Sequence, residues 1–179
     1  MNKVLREILS TSLYLLMVLC AVYLLIHFVG QRTQVSGSSM EPKLSNEDNL
    51  IVDKITYRFH EPERFDIIVF PFRYDKQTFY IKRIIGLPGE TVYIDEEGII
   101  YIDDEPLIEN YGKETIEDPG RAYVPITLGE DEYFVMGDNR NNSSDSRDPA
   151  VGNIKRDSII GRAWLRMWPL DKFGLIRHR

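Results

Sequence analysis

A run of 23 residues without a charged side chain, residues 8–30, constrains the fold of this chain more than any other feature of its sequence. As a helix this run would be about 34 Å long, which is enough to cross the roughly 30 Å of hydrocarbon in a bilayer. A cleavable targeting sequence has a shorter apolar core followed by small residues, whereas the single alanine of this run, Ala21, lies in its middle. We therefore predict a transmembrane anchor within residues 1–32, with its helix at about residues 8–30.

The charges that flank this run predict its orientation. Lys3 and Arg6 precede it and Arg32 follows it, so the positive-inside rule predicts a cytoplasmic N-terminus and an extracytoplasmic domain over residues 33–179. The chain has a net charge of −6 although its first 32 residues are net positive, so the remainder is strongly acidic and is not suited to binding nucleic acid. The single cysteine, Cys20, lies in the apolar run, so the folded part has no thiol, as suits an oxidising exterior.

After the anchor, the hydrophobic pattern changes to that of short strands separated by turn residues. The predicted strands lie at residues 49–55, 66–72, 78–85, 91–95, 99–102, 132–136 and 158–168, with hairpin turns at residues 95–98 and 101–107. A surface excursion is predicted at about residues 95–130. Within it, residues 109–129 are acidic and without a clear period, which is typical of a surface excursion or of a small subdomain on the main sheet. The fold class is therefore mainly β: an antiparallel sheet domain behind one N-terminal transmembrane helix.

The first candidate for chemistry is Ser39, in the segment Val35-Ser36-Gly37-Ser38-Ser39-Met40-Glu41-Pro42 just after the anchor. Pro42 fixes its own φ and disfavours helix in the residue before it, so Ser39 is not expected inside a helix. Gly37 permits a sharp turn or a close approach of another chain. A serine on a rigid, extended segment beside a membrane could act as a nucleophile, although most clusters of Gly, Ser and Pro are ordinary loops.

Lys82 is the second candidate, and its pattern leaves two interpretations open. On a strand it shares a face with Tyr80 and Ile84, while Arg83 points to the other face, and both faces are largely apolar. Lys82 could be an edge-strand lysine that extends to water. It could instead be a desolvated lysine whose lowered pKa lets the neutral amine accept a proton from a serine hydroxyl.

A loop of eleven residues without an aliphatic side chain, residues 137–147, follows the predicted strand at 132–136. Its acidic and basic side chains can pair with each other, and its Asn and Ser side chains can cap backbone groups, so the loop could be rigid. Its spacing does not match the ligand pattern of an EF-hand calcium loop.

Other catalytic arrangements fit the sequence less well. A Ser-His-Asp triad would need His60 or His178, and neither lies in a motif-like setting. The Ser-x-x-Lys arrangement would need lysine where Pro42 stands. No group of His, Cys, Asp and Glu has the spacing of a zinc site, so we predict neither metal nor cofactor. A dyad of Ser39 and Lys82 is the arrangement that survives.

Three segments, in this order, resemble the signature boxes of bacterial type I signal peptidases of the short Gram-positive kind with one membrane anchor. Residues 37–42 (GSSMEP) resemble the Ser-Met-x-Pro box, and residues 80–90 (YIKRIIGLPGE) resemble the lysine box. Residues 137–147 resemble the third box, and residues 160–163 (IGRA) the closing strand. The resemblance implies a mostly β catalytic domain on the outer face of the membrane.

The resemblance also implies roles for individual residues. Ser39 would be the acylating nucleophile, Lys82 the general base, and Ser143 the residue that orients the Lys82 amine. Four residues would support the site structurally: Arg83, Asp138, Asp145 and Arg147. The Ser39 N–H would hold the oxyanion. Some relatives add a serine two residues before the nucleophile, where this chain has Gly37, so no second side-chain donor is assigned.

The implied substrate is the C-terminal region of a signal peptide, bound as an extended strand with small residues in shallow pockets. The implied wall residues of these pockets, each of which could equally be ordinary core, are Val35, Met40, Leu44, Tyr80 and Ile81. The implied partners are signal peptides of exported preproteins and the lipid bilayer, with the secretion translocon as a further candidate.

Two other functions compete with this prediction. A membrane-anchored β module could bind extended peptides without cutting them, but it would need neither a nucleophile nor a base. A self-cleaving, repressor-type Ser–Lys peptidase would need a DNA-binding region, and the first 32 residues have the composition of an anchor instead.

Overall fold

The computed structural model describes residues 3–28 and 30–178, without the side chains of residues 24–28 and 76. It contains one α-helix, α1, over Lys3–Phe28. The strands are β1 (Gly30–Gln34), β2 (Asn49–Asp53), β3 (Ile67–Phe72), β4 (Asp75–Gly86), β5 (Thr91–Ile94), β6 (Ile100–Ile102), β7 (Glu105–Pro106), β8 (Ile126–Thr127), β9 (Glu132–Met136), β10 (Ile154–Lys155), β11 (Gly161–Trp168) and β12 (Gly174–Leu175). The mainly β, antiparallel fold class predicted from the sequence is confirmed.

α1 is a candidate membrane span by its length and composition, and the window Lys3–Tyr23 carries no buried residues. Its 26 residues correspond to about 39 Å of helix. The helix begins five residues earlier than predicted and ends two residues earlier, because the polar residues before the apolar run continue the helix and β1 begins at Gly30.

The large sheet has eight strands in the order β1-β2-β11-β3-β4-β9-β10, with β12 paired to β11. Every pair in it is antiparallel. β1 was not predicted, since its sequence GQRTQ is polar and has no hydrophobic period. It forms because β2 offers it a complete register, from Gly30 opposite Asp53 to Gln34 opposite Asn49.

The small sheet has four strands in the order β7-β6-β5-β8. Tight turns join β5 to β6 and β6 to β7, and β8 pairs with the other edge of β5. Gly98 has a positive φ at the first turn, and Asp103 and Asp104 have positive φ at the second. Both hairpin turns were predicted, since Gly and Asp are the residues that adopt this conformation most readily. β8 pairs with β5 through Ile126 and Thr127 and closes this sheet.

Buried apolar side chains form three clusters. One lies under the Ser39 turn and includes Met40, Leu44 and Leu50. The second lies where the two sheets meet and includes Ile85, Val92 and Phe134. The third covers the opposite face of the large sheet and includes Ile68, Phe70, Ile84 and Val135.

Residues 109–129 were predicted as a surface excursion or small subdomain, and the structure gives residues 109–123 a more definite place. Ile116 and Ala122 are buried in the cluster between the sheets. The backbone N–H of Lys113 donates to the carbonyl of Asp138, and the N–H of Arg121 donates to the carbonyl of Arg147. This segment therefore packs along the loop at residues 137–147.

Candidate active site

Ser39 lies on a turn and not on the extended segment that the sequence suggested. The Glu41 N–H donates to the Ser38 carbonyl at 3.0 Å, and the Leu44 N–H donates to the Met40 carbonyl at 2.8 Å. The side chains of Met40 and Leu44 are buried and fix this turn to the core. As expected, Ser39 is outside any helix.

Gly37 shapes the entrance to this turn. Its φ is +93°, a conformation that favours glycine, and its N–H donates to Asn46 Oδ1 at 2.9 Å. The chain can therefore reverse just before Ser39. The N–H of Ser39 itself donates to no acceptor in the described part of the chain.

β4 carries Lys82 into the interior of the domain. The strand is paired to β3, where Lys82 lies opposite Ile68. Only 4% of Lys82 is exposed, which rules out the interpretation that it extends to water. Lys82 Nζ lies 2.7 Å from Ser39 Oγ and hydrogen-bonds to it.

The environment of Lys82 favours its neutral form. Burial lowers the pKa of Lys82 to about 8, although the negative charges of Asp145 and Asp138 act in the opposite direction. The Lys82 amine is thus neutral in about one-tenth of the molecules at pH 7, which is far more than for a lysine in water. A neutral amine beside a serine hydroxyl can accept its proton and create a nucleophile.

The loop at residues 137–147 fixes the Ser39 turn through its backbone. The Asn139 N–H donates to the Ser39 carbonyl at 3.0 Å, and Asn139 Nδ2 donates to the Ser38 carbonyl at 3.1 Å. A Cβ at Gly137 would lie 2.4 Å from the Ser39 carbonyl oxygen and 2.3 Å from Ser143 Oγ. Only glycine allows the loop to approach the Ser39 turn this closely.

Asp145 and Arg147 hold the loop together from inside. Arg147 donates from Nε and Nη2 to the two carboxylate oxygens of Asp145, each at 2.9 Å. Asp145 also accepts from the Gly137 N–H at 3.0 Å, and Arg147 donates to the carbonyl of Arg140. Both residues of this pair are buried, so the loop is rigid although it has no aliphatic side chain.

Arg83, next to Lys82, points to the other face of β4 as the strand pattern predicts. It donates from Nε and Nη2 to the two oxygens of Asp138, at 2.7 and 2.6 Å. Its Nη1 donates to the carbonyls of Phe65 and His178. The ring of Tyr111 covers the guanidinium at 3.9 Å.

Among the described residues, neither histidine that was considered for a triad contacts Ser39. His60 is exposed. His178 is largely buried, accepts a hydrogen bond from the Ile67 N–H at Nδ1, and lies 3.7 Å from Asp66. Burial lowers the pKa of His178 to about 4. His178 is therefore a neutral residue of the core behind Arg83.

Ser143 lies in the same cleft as Ser39 and Lys82. Its Oγ is buried and has no hydrogen-bond partner in the described part of the chain, so no bond from Ser143 to the Lys82 amine is formed.

The cleft above the dyad has a volume of about 510 Å³. Of the predicted wall residues, four line it: Val35, Met40, Tyr80 and Ile81. Leu44 does not, because it is fully buried in the core under the turn. In the part of the chain that the structure describes, no group of His, Cys, Asp or Glu has a metal-binding arrangement.

Three residues of the site were missed from the sequence. Asn142 lines the cleft and donates from Nδ2 to Ser38 Oγ at 2.9 Å, and Asn139 holds the Ser39 turn. Both lie in the loop at residues 137–147, so membership of that loop could have indicated a role in the site. Tyr111 lies in an acidic segment without periodicity, and nothing in the sequence pointed to its stacking on Arg83.

Comparison with known proteins agrees with this site. The family described as signal peptidase, peptidase S26, matches residues 8–168. The chain belongs to this signal peptidase family. The match covers most of α1 and every strand except β12. It confirms the predicted family and the class of enzyme, a serine peptidase of the signal peptidase I type.

Individual relatives in this signal peptidase family are similar over most of the chain. A probable signal peptidase I-2 of Synechocystis sp. is 41% identical over 154 residues, which are 83% of this chain and 68% of the relative. A signal peptidase I of Leptolyngbya laminosa is 43% identical over 82% of this chain and 73% of its own length. Signal peptidase I P of Bacillus subtilis subsp. natto is 36% identical over 92% of this chain and 89% of its own length.

Proposed function

We propose that Ser39 and Lys82 are the nucleophile and the general base with which this chain removes N-terminal signal peptides from exported preproteins. The observation that carries the assignment is the 2.7 Å contact between Ser39 Oγ and the amine of a lysine that is only 4% exposed. Family membership supplies the reaction class, and this contact supplies the pair of groups that the reaction needs.

The first half of the reaction forms an acyl-enzyme. Neutral Lys82 takes the hydroxyl proton of Ser39 while Oγ attacks the carbonyl carbon of the scissile bond. The oxyanion that forms accepts a hydrogen bond from the free N–H of Ser39. When the intermediate collapses, the C–N bond breaks and the Lys82 ammonium gives its proton to the leaving amine, which is the new N-terminus of the mature protein.

The second half of the reaction releases the signal peptide. Lys82, neutral again, takes a proton from a water molecule as that water attacks the ester carbonyl. The second intermediate collapses with loss of the Ser39 oxygen, which recovers the proton from Lys82. The products are a signal peptide with a C-terminal carboxylate and the enzyme in its starting state.

Five residues support this chemistry without touching the substrate. Ser143 is assigned to orient the Lys82 amine once substrate fills the cleft, since its buried Oγ is available for a new partner. Asp145 pairs with Arg147 and keeps the loop at residues 137–147 rigid. Asp138 pairs with Arg83 and ties this loop to β4, the strand that carries Lys82.

The substrate binds as an added strand in this proposal. Residues 79–82 of β4 pair with β3 on one side, whereas pairing with β9 begins only at Arg83. The other edge of residues 79–82 therefore faces the cleft and can hydrogen-bond to an extended peptide. Val35, Met40, Tyr80 and Ile81 would form the apolar walls for small substrate side chains.

The placement in the cell follows from α1. In this proposal α1 is a single-pass anchor with Lys3 and Arg6 on the cytoplasmic side, and residues 33–179 lie on the extracytoplasmic face of the membrane. The bilayer and the secretion translocon, which delivers preproteins, are the remaining proposed partners. Protease added to sealed, right-side-out membrane vesicles should digest residues 33–179, and full protection of that domain would reverse the orientation.

The test of the catalytic assignment is cleavage of a membrane-presented preprotein by the full-length wild type, Ser39→Ala and Lys82→Ala. Loss of cleavage in both variants, with folding preserved, is expected. Full activity of a folded Ser39→Ala variant would remove Ser39 from the mechanism. A wild type that binds signal peptides without cutting them would instead support the peptide-binding module.

A further inference from the structure

A second cavity, of about 320 Å³, lies away from the dyad and is surrounded by cations. Four basic side chains line it: Lys43, Arg166, Lys172 and Arg177. The other lining residues are 173–176, in and beside β12. The hairpin of β11 and β12 forms one wall, where Arg166 lies opposite Gly174. The Ser39 turn contributes Lys43 from the other side.

Acidic residues neutralise only part of this charge. Arg166 lies 3.1 Å from the buried carboxylate of Asp48, and its guanidinium also donates to the carbonyl of Lys43. No carboxylate of the described residues lies within ion-pair distance of Lys43, Lys172 or Arg177. Lys172 Nζ has only a 3.3 Å hydrogen bond to Ser45 Oγ. The cavity therefore holds an excess of about three positive charges.

The positive charges around the cavity affect the pKa of Lys43. Partial burial lowers the pKa of Lys43, and the nearby positive charges of Arg83, Arg166 and Arg177 lower it further, while Asp138 opposes them. Like charges held this close repel one another, and an anion in the cavity would relieve the repulsion.

Phe173 and Leu175, which line the cavity, belong to an exposed apolar stretch of the same hairpin, which we call the rim. Large hydrophobic side chains that are 42–69% exposed follow one another along this hairpin: Trp164, Trp168, Leu170, Phe173 and Leu175. A soluble surface seldom carries such a patch without a partner. Tryptophan beside aliphatic residues is typical of the boundary between lipid headgroups and acyl chains.

The position of the patch in the fold points to the same partner. α1 leads into β1, and β1, β2 and β11 are neighbours in one sheet. Since the proposed function places α1 in the bilayer, this inference rests on it, and the sheet that carries the cavity begins at the membrane surface. Basic pockets next to membrane segments bind anionic headgroups.

We propose that this cavity binds the phosphodiester of an anionic phospholipid, while the apolar rim enters the outer part of the acyl layer. The cations neutralise the phosphate, and the rim residues replace contact with water by contact with lipid. Such a bound lipid would hold the catalytic domain against the membrane near the point where a signal peptide leaves it.

The chain offers a direct probe, since Trp164 and Trp168 are its two tryptophans and both lie on the rim. Full-length protein is placed in nanodiscs of phosphatidylcholine with a minority of phosphatidylglycerol. Two preparations have the same composition but carry brominated acyl chains, which quench tryptophan on contact, either on phosphatidylglycerol or on an equal amount of phosphatidylcholine. Quenching is expected to be severalfold stronger when the bromine is on phosphatidylglycerol.

Two double variants test the assignment to the cavity. Lys172→Gln with Arg177→Gln removes two of the four cations and should abolish the preference for phosphatidylglycerol. Arg73→Gln with Lys155→Gln removes two exposed cations outside the cavity, and that variant should keep the preference. Cleavage of a signal-peptide substrate is measured in parallel on each sample. A variant that cleaves is folded, so the proposed function is tested by cleavage and the cavity assignment by the lipid preference.

Several results would overturn the proposal. Equal quenching by both labelled lipids, no quenching at all, or a preference that persists in the Lys172/Arg177 double variant would each do so. A preference that disappears when inorganic phosphate replaces chloride at constant ionic strength would assign the cavity to free phosphate instead of lipid. Failure of cleavage with an intact lipid preference would contradict the proposed function and leave the cavity assignment standing.

Discussion

Lys82 and Arg83 are neighbours on one strand, both are buried, and they behave in opposite ways. Lys82 has one hydrogen bond, to Ser39 Oγ, and burial lowers its pKa to about 8. Arg83 is completely buried, yet two carboxylate oxygens, two carbonyls and an aromatic ring surround its guanidinium. Two buried cations on one strand can therefore differ widely in the counter-charge and hydrogen-bond acceptors around them. The alternation of the strand separates the two environments.

The largest expected effect comes from replacing Lys82 with a residue that cannot act as a base. Lys82→Met keeps the length of the side chain, and we expect a loss of roughly 10³-fold or more in the single-turnover cleavage rate, since general base catalysis is removed. Lys155→Met, at an exposed position outside the cleft of the dyad, is the matched control and should cleave at the wild-type rate. A Lys82→Met variant that keeps even one-tenth of the activity would contradict the assignment.

The same variant should change how stability depends on pH. The pKa of Lys82 is about 8 in the folded protein and 10.5 ordinarily, so between these values the unfolded chain binds more protons than the folded chain. The free energy of unfolding of the wild type is therefore expected to rise with pH over this window. Denaturant titrations of Lys82→Met should lack that rise, and an identical pH profile would show that Lys82 titrates normally.

Breaking the Arg83 pair should cost stability. Asp138→Asn leaves the buried guanidinium without its counter-charge, and we expect the free energy of unfolding to fall by about 3–5 kcal/mol. The double variant Arg83→Met with Asp138→Leu removes both charges and should recover part of the loss. Thermal and denaturant unfolding measure this. If the single and double variants are equally unstable, lost packing and not the unpaired charge is responsible.

The site around Lys82 also depends on the close approach of the loop at residues 137–147 to the Ser39 turn. Gly137→Ala places a methyl group 2.4 Å from the Ser39 carbonyl oxygen, so the loop or the Ser39 turn must move. We expect a decrease of about 10²-fold in kcat/KM, as displacements of about 1 Å produce. Gly129→Ala, where the added group meets only the side chain of Glu132 at 3.3 Å, is the control and should be nearly silent. Comparable loss in both variants would argue against a special role for Gly137.

The smallest effect is expected at Tyr111, whose ring lies over the Arg83 guanidinium. Tyr111→Phe keeps the ring and should be close to wild type, whereas Tyr111→Ala should lower the free energy of unfolding by about 1–2 kcal/mol. A Phe variant as unstable as the Ala variant would assign the effect to the hydroxyl and not to the ring.

The sequence predicted those parts of the molecule in which local pattern and final structure agree. Lys82 and Arg83 could be assigned to opposite faces because adjacent residues of a strand alternate. The dyad of Ser39 and Lys82 was the arrangement left after a histidine triad and a Ser-x-x-Lys pair were set aside. β1 could not be predicted, since a polar strand exists only through its pairing with β2. The Ser39 segment was predicted as extended because Pro42 disfavours helix before it, whereas backbone hydrogen bonds from Glu41 to Ser38 and from Leu44 to Met40 close it into a turn.

Other features depend on contacts between distant parts of the chain. Leu44 was expected on the wall of the cleft, but it is fully buried in the core, and sequence does not distinguish these two kinds of apolar position. Residues 109–123 have no period because their order comes from contacts with the loop at 137–147. One such contact joins Arg140 and Glu109, 31 positions apart, at 2.7 Å. Pattern along the chain does not record such pairings.

The pKa of Lys82 itself decides whether a neutral amine is available to accept the Ser39 proton. Full-length protein with isotope-labelled lysine can be titrated by NMR, with the Lys82 signal assigned by its absence from Lys82→Met. We expect a pKa of about 8, and a rise of about tenfold per pH unit in kcat/KM below that pH, since only the neutral amine accepts the Ser39 proton. A Lys82 signal that titrates near 10.5 would contradict the account, because the amine would then be charged when the enzyme acts.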